Sequence, residues 1–500
     1  MISLILMASL APAFVLLLGA PLILFMKDRV NRKSLSFFIL LLALFLNSLL
    51  VVYYALYDII ERQFYFNFEL GTMILIEILL LMSLIGFLFS KDENVNVENE
   101  SILDGLVFII LLALIGTIIS SNIFAIFSCF IVILLLMGLI FYFGDFPKEF
   151  QLLKRYFSMV GISIVLFAFS SLLLFMETET IILTEIKVRN LSLGANILIT
   201  VSLVLALGLP CGLFPASVFH LKNYYRDSSY STLYLFAIFI FFNVLLTIRF
   251  LSAISLSLII NGFIILILSG IGLTIALIYI LTELFSTLDG DTFSLKKLFG
   301  YSITADFNLM ILLTSLLTYL PSSFYEVYLN IILFSFFMML LLKSLIFIAY
   351  IPIMIETNDD NLKLLGEFWE KYKNYGIIYL IAGLIISFPL NLIGLNFLLN
   401  ILSSNEITNS LYLTVNSIVI ILFLVYLSIH LVFIAISFNQ IYFSNEPRYL
   451  KKENMSEPTK THYIPILVLF ICIALIIIVF FFIDDVFYNL FNTYFLIIEN

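Results

Sequence analysis

Five ionisable side chains stand inside long apolar stretches of this 500-residue chain: Glu77, Glu283, Asp306, Lys343 and His430. A charged group at the centre of a bilayer costs roughly 2.5–3.5 kcal/mol on insertion scales, so such residues persist where they pair or where they carry ions. Lys343 lies near the middle of an apolar run at 328–355, too deep for its ammonium to reach an interface easily. The charge on a buried lysine depends on the carboxylate beside it, which is the chemistry of a proton or cation relay. Bonded instead to the free carbonyl of a broken helix, the same lysine would be structural. Glu77 reads as a contact to a neighbouring subunit, or as an acid protonated in place, before it reads as part of a transport route. Glu283 and Asp306 fall near the ends of their apolar runs, where they would form an entry funnel for cations or simply wetted helix-end carboxylates. His430, one or two turns from the end of its run, suits a proton relay and a hydrogen-bonded packing role equally. Cys129, Cys211 and Cys472 lack the spacing of a disulfide framework or a metal or iron–sulfur ligand set, and read as small buried hydrophobes. No nucleotide, haem, flavin or metal motif appears, so no cofactor is expected in this chain.

The elements that must position these residues are membrane helices. Of the residues, 63% are hydrophobic and 11% charged, with a mean hydropathy of +1.17, whereas a soluble domain carries about 25% charged residues. Apolar runs longer than about 18 residues recur along the chain, which predicts an all-α polytopic protein. A water-soluble catalytic domain is excluded, as is an outer-membrane barrel, whose strands would alternate polar and apolar. Fourteen helices are predicted, near 3–26, 36–57, 69–90, 103–120, 122–144, 156–176, 191–214, 231–250, 255–285, 302–320, 328–355, 375–400, 412–437 and 463–483. The first lacks a basic leader and reads as a retained helix rather than a cleaved signal. The longest polar connection, 445–462, is too small to house chemistry. Odd-numbered connections hold all but five of the 24 Lys and Arg; Arg62, Lys187, Arg189 and Arg249 fall at even-numbered ones and Lys343 inside a helix. The positive-inside rule then puts the odd connections in the cytoplasm and both termini outside the cell membrane. Pro210 and Pro215 interrupt the seventh predicted helix, and Pro389 with Gly394 the twelfth. Breaks at corresponding places in two halves of a transporter point to its binding site.

Several segments carry a family resemblance. EFQLLKRYF (149–157) is similar to an E-x-x-x-K-Y-F segment, GLPCGLFPASVFHLKNYY (208–225) to F-K-x-G-x-x-P-F-H-x-W-x-P-D-x-Y, and KKLFGYSITADFNLMILL (296–313) to K-R-L-L-A-Y-S-S-I-A-H-x-G-Y-x-L-x-G-L. MLLLKSLIFI (339–348) resembles H-A-x-F-K-A-L-L-F-L, and IISFPLNLIGLNFLL (385–399) resembles S-L-x-G-I-P-P-L-x-G-F-x-x-K. All five, in this order, resemble the antiporter-like membrane subunits of respiratory complex I, of energy-converting hydrogenases and related dehydrogenases, and of Mrp-type Na+/H+ antiporters. The resemblance implies three N-terminal helices (1–100), two inverted five-helix repeats (101–254 and 255–440) with broken seventh and twelfth helices, and a final loop and helix (441–500). It also implies a mid-membrane chain of a Glu on the fifth helix, Lys on the seventh and eighth, and Lys or Glu on the twelfth.

This sequence departs at each of those positions, which fall on Ile131, Pro210, Phe241 and Leu398. Lys343 matches the family lysine of the eleventh helix, although Met339 replaces its partner histidine, and Asp306 stands where the family has a histidine. The resemblance implies a subunit of a multisubunit ion-translocating oxidoreductase, with iron–sulfur or other redox centres in partner subunits, H+ or Na+ as the ion, lipid around it and no nucleic acid. The missing charges favour a structural or coupling subunit over an ion path rebuilt around Lys343 and the carboxylates. A stand-alone fourteen-helix secondary transporter or lipid-linked saccharide flippase is the alternative; a flippase would need several charges converging on one cavity.

Overall fold

A computed structural model describes residues 8–319, apart from 27, 58–60, 64–65, 90–96, 144–149, 187–190, 218–229, 255–258 and 290–294, together with positions 332, 339, 342, 343, 345, 346 and 349 and residues 369–387 and 410–443. Among the described residues thirteen helices follow one another: α1 (Ala11–Phe25), α2 (Arg29–Tyr57), α3 (Leu70–Phe89), α4 (Val97–Ile119), α5 (Ile123–Phe143), α6 (Phe150–Thr178), the single turn α7 (Leu183–Ile186), α8 (Leu193–Gly208), α9 (Tyr230–Ala253), α10 (Ile259–Asp289), α11 (Leu295–Ser315), α12 (Trp369–Ser387) and α13 (Ser410–Phe443). A short antiparallel hairpin, Glu61–Gln63 with Phe66–Phe68, joins α2 to α3. The seven described positions between 332 and 349 are also helical, and all are buried.

Ten of the described helices are long and apolar enough to cross a membrane. The chain is therefore an all-α multi-pass membrane protein. The fourteenth predicted helix, with Cys472, and the twelfth-helix break at Pro389 and Gly394 lie outside the described residues, as does Leu398. Several helices begin six or seven residues before the apolar run that announces them: α2 at Arg29, α4 at Val97, α6 at Phe150, α11 at Leu295 and α12 at Trp369. A hydropathy window sees only the lipid-compatible part of a helix, whereas backbone hydrogen bonding continues through the polar turns that reach the headgroups.

The helices are patterned for lipid. Phe38, Leu41, Phe45, Leu49, Val52 and Leu56 form an exposed stripe along α2 at three- and four-residue spacing, and Ile162, Val165, Phe169, Leu172 and Met176 do the same on α6. The polar residues face inward: Arg32, Ser36 and Asn47 on α2 and Ser163, Ser170 and Ser171 on α6 are all buried. Inside a bilayer, packing and interhelical hydrogen bonds hold helices together, since lipid tails are as apolar as leucine; such bonds are worth about 0.6–2 kcal/mol each.

The described helices form two compact units, residues of 1–216 and 227–265 in the first and residues of 266–483 in the second. In the first, α1 packs on α2 and α4, α4 on α5, α5 on α6, α6 on α8, and α9 on α3 and α8. Arg32 on α2, 1% exposed, ion-pairs with Asp104 on α4 at 3.0 Å. Every residue of 236–254 is buried. Arg249 therefore does not lie in a connection, as its place in the sequence suggests, but inside α9. It donates from Nη1 to the Thr117 and Ile118 carbonyls at 3.2 and 3.4 Å, satisfying the end of α4, whose last carbonyls have no partner within their own helix.

The break in the seventh predicted helix is present. α8 stops at Gly208 and a 3-10 turn, Leu209–Cys211, follows. Gly212 takes the left-handed conformation (φ 85°), its N–H bonding the Leu209 carbonyl, while the Leu213 N–H bonds that of Gly208. This is a Schellman closure, with glycine where a Cβ would be strained. Leu213 lies over Gly208 so closely that an added methyl there would sit 2.5 Å from Leu213 Cδ2. The Phe214–Pro215 peptide that follows is cis.

In the second unit, α13 packs on α11 and α12. Every residue of 298–316 is buried, so this stretch of α11 has no lipid face. α11 is also the least apolar of the ten spanning helices. Its Ser302, Thr304, Asp306, Asn308, Thr314 and Ser315 are all inside. A helix with that many polar groups is tolerable in a membrane only where protein surrounds it.

Candidate functional site

Helical spacing builds the site from pairs. Ser302 and Asp306, four apart, share one face of α11, and Tyr426 and His430, also four apart, share one face of α13. Lys343 enters from the helical residues between them in sequence. Its ammonium donates to Asp306 Oδ2 in a buried ion pair and to Ser302 Oγ at 3.0 Å. The other Asp306 oxygen, Oδ1, accepts from the Tyr426 hydroxyl at 2.5 Å. The Ser302 hydroxyl in turn donates to the Phe299 carbonyl at 3.0 Å. Tyr426 then stacks on His430, ring centroids 5.2 Å apart and planes 26° from parallel, and Phe433 meets the imidazole edge-on at 5.7 Å. All of these side chains are at least nine-tenths buried.

The arrangement is a closed electrostatic unit with one open end. Asp306 and Lys343 cancel each other's charge, and each is further held by a hydroxyl. A buried pair satisfied in this way is stable, but removing either partner leaves the other bare and costs about 3–5 kcal/mol. The open end is His430, 1% exposed, whose ring nitrogens both lack a hydrogen-bond partner among the described residues.

The structure corrects several expectations from the sequence. Asp306 is not at a helix end: α11 starts at Leu295, which puts Asp306 near its middle. His430 is likewise more than three turns from the end of α13, because that helix runs on to Phe443. Asp306 and Glu283 do not share an entrance either. Glu283, half-buried on α10, pairs with Lys297 at 3.2 Å, and Lys297 lies nine residues before Asp306 on α11, about 13 Å along the axis at 1.5 Å per residue. Nor does Lys343 bond a helix-break carbonyl among the described residues; its partners are Asp306 and Ser302. Sequence reasoning missed Ser302 and Tyr426, although each stands four residues from a residue it did identify, a spacing that could have found both.

The remaining candidate, Glu77 on α3, belongs to the first unit. It accepts from Asn47 Nδ2 at 2.8 Å and from Ser48 Oγ at 2.5 Å, both on α2. At the centre of that unit, near the positions where the resemblance leads one to look for lysines, Asn243 Nδ2 donates to Cys211 Sγ at 3.0 Å. Phe241 is buried and Ile131 half-buried. The contact beside the Pro210 break is thus an amide with a thiol, both neutral.

Solved structures with this arrangement of helices decide the fold. A chain of the membrane-bound sulfane sulfur reductase, an archaeal respiratory membrane complex, superimposes with a TM-score of 0.73 at 15% identity, covering 99% of this chain and 100% of that one. A chain of respiratory complex I from Thermus thermophilus gives 0.74 at 13% identity, with coverage of 99% and 100%. A chain of the Mrp complex from Dietzia sp. DQ12-45-1b gives 0.74 at 12% identity over 98% of both. The protein shares the fold of these chains. No protein-family model and no curated sequence matches it. At these identities the fold is shared while most side chains are not, so the chemistry has to be read from the residues present.

Proposed function

We propose that the chain is an antiporter-like membrane subunit of a multisubunit ion-translocating oxidoreductase, with its ion-coupling centre in the second unit. The observation that carries this reading is the buried pair of Lys343 with Asp306, held by Ser302 and Tyr426, with Asp306 and Ser302 on the stretch of α11 that has no lipid face. A lysine needed only for packing would have been cheaper as leucine or methionine, since buried ion pairs contribute little or nothing to stability over apolar residues of similar size. The pair therefore supports an ion-coupling role over the purely structural subunit that the missing charges favour. The first unit, neutral at its corresponding centre, serves as scaffold. The neighbours in fold come from respiratory and Mrp complexes, which supports partner membrane subunits, with redox centres outside this chain. The lopsided distribution of Lys and Arg supports both termini facing out of the cell membrane. A flippase would need several charges converging on one cavity, and the described interior of the second unit offers a single self-compensated pair.

Purification in mild detergent tests the assignment. The chain should co-migrate with iron–sulfur or hydrogenase-like subunits. A stable monomer that transports a solute on its own would overturn it.

A further inference from the structure

His430 offers two buried ring nitrogens and spends neither on a hydrogen bond among the described residues. Buried polar groups are nearly always bonded, and leaving one bare costs about 1–3 kcal/mol. A histidine kept only to fill space beside Tyr426 and Phe433 would be better replaced by phenylalanine, which makes both ring contacts without that cost. The imidazole also lies next to a complete acid–base pair: Tyr426, on which it stacks, bonds Asp306, which pairs with Lys343. The titratable groups it meets are Tyr426 from its own helix, on which it stacks, and, through the Tyr426 hydroxyl, the Asp306–Lys343 pair.

We propose that His430 is the proton acceptor of this centre, taking the proton that Lys343 gives up. The inference rests on the ion-coupling reading above and names its ion as H+. A proton arriving at Asp306 forms the neutral acid and abolishes its attraction for the ammonium. Lys343 then breaks one N–H bond and hands the proton to a ring nitrogen lone pair of His430, directly or across one water molecule, leaving a neutral amine and an imidazolium. The amine takes the proton of the Asp306 acid, which restores the ammonium–carboxylate pair. The imidazolium, now beside a restored ammonium, is repelled and gives its proton to a water molecule, which carries it away as hydronium, leaving the neutral ring. One proton has moved from Asp306 to the far side of His430, and nothing has been oxidised or reduced. Na+ fits this centre poorly, because both carboxylate oxygens are already engaged by donors and a cation needs several oxygen ligands.

The test uses the intact complex in sealed vesicles, with pumping followed during electron transfer. His430→Gln keeps a donor and an acceptor but cannot carry a proton, and His430→Phe keeps the ring stack. Both should lower pumping through this subunit at least tenfold. Wild-type pumping in either variant overturns the proposal. If Lys343→Met stops pumping while His430→Gln does not, the ion-coupling centre stands and only the role of His430 fails; if neither matters, both fail. An independent measurement needs no His430 variant. Redox-triggered infrared difference spectra of complex with isotope-labelled histidine rings should show an imidazole protonation signal that Lys343→Met removes. Survival of that signal unchanged in Lys343→Met would overturn the proposal.

Discussion

Replacing Asp306 by Asn keeps the shape of the side chain and removes its charge. Lys343 is then left with the Ser302 hydroxyl and an amide in place of a carboxylate, in a region where every residue of α11 from 298 to 316 is buried. Breaking a buried pair costs about 3–5 kcal/mol, which at 1.36 kcal/mol per decade is a population change of roughly two to four powers of ten. Lys343→Met, which strands Asp306 with only the Tyr426 hydroxyl, should cost about the same. The double variant Asp306→Asn, Lys343→Met removes both charges together and should recover most of the loss, giving a coupling energy of about 3 kcal/mol or more across the cycle. Thermal or denaturant stability of the chain within its purified complex gives these energies, and pumping in vesicles gives the second half of the result. Stability should return in the double variant while pumping does not. Additive losses would refute the ion pair, and a double variant that pumps normally would reduce it to a structural element.

Further consequences can be checked with the same preparation. Tyr426→Phe removes one donor to a carboxylate, worth about 1.5–3 kcal/mol, and should slow pumping several-fold while the complex still assembles. Arg249→Met leaves the Thr117 and Ile118 carbonyls without their guanidinium and should lower the stability of the chain by about 1–3 kcal/mol with the ions moved per electron unchanged, since it lies outside the unit that holds the Lys343–Asp306 pair. Gly208→Ala drives a methyl into Leu213 and should cost about 1–3 kcal/mol by overpacking, whereas Gly212→Asn, which accepts a left-handed φ, should cost less than Gly212→Val. Lys297→Gln breaks a part-exposed pair with Glu283 and should change stability by less than about 1 kcal/mol.

How much of this was legible in the sequence depends on the residue. The apolar runs announced the helices, and Pro210 with Pro215 announced the break after α8, because proline fixes its φ and lacks an N–H wherever it stands. Lys343 was legible as well, since a lysine in the middle of a span is too costly to be incidental. Its partner was not. The hydropathy window placed the start of α11 at residue 302 and so left Asp306 near an end, while the backbone helix begins at Leu295 and carries it to the centre. Arg249 was misread for the same reason, as a connection residue instead of a cap on the end of α4. Tyr426 gave no signal of its own: tyrosine in an apolar run reads as packing until the carboxylate opposite its hydroxyl is known, and that contact spans 120 residues of sequence.

The most direct measurement of the central claim is the number of ions moved per electron by the reconstituted complex carrying Lys343→Met. If the second unit holds the coupling centre, the ratio falls by the contribution of this one subunit while electron transfer continues. An unchanged ratio, in a complex with this chain fully assembled, would contradict the account.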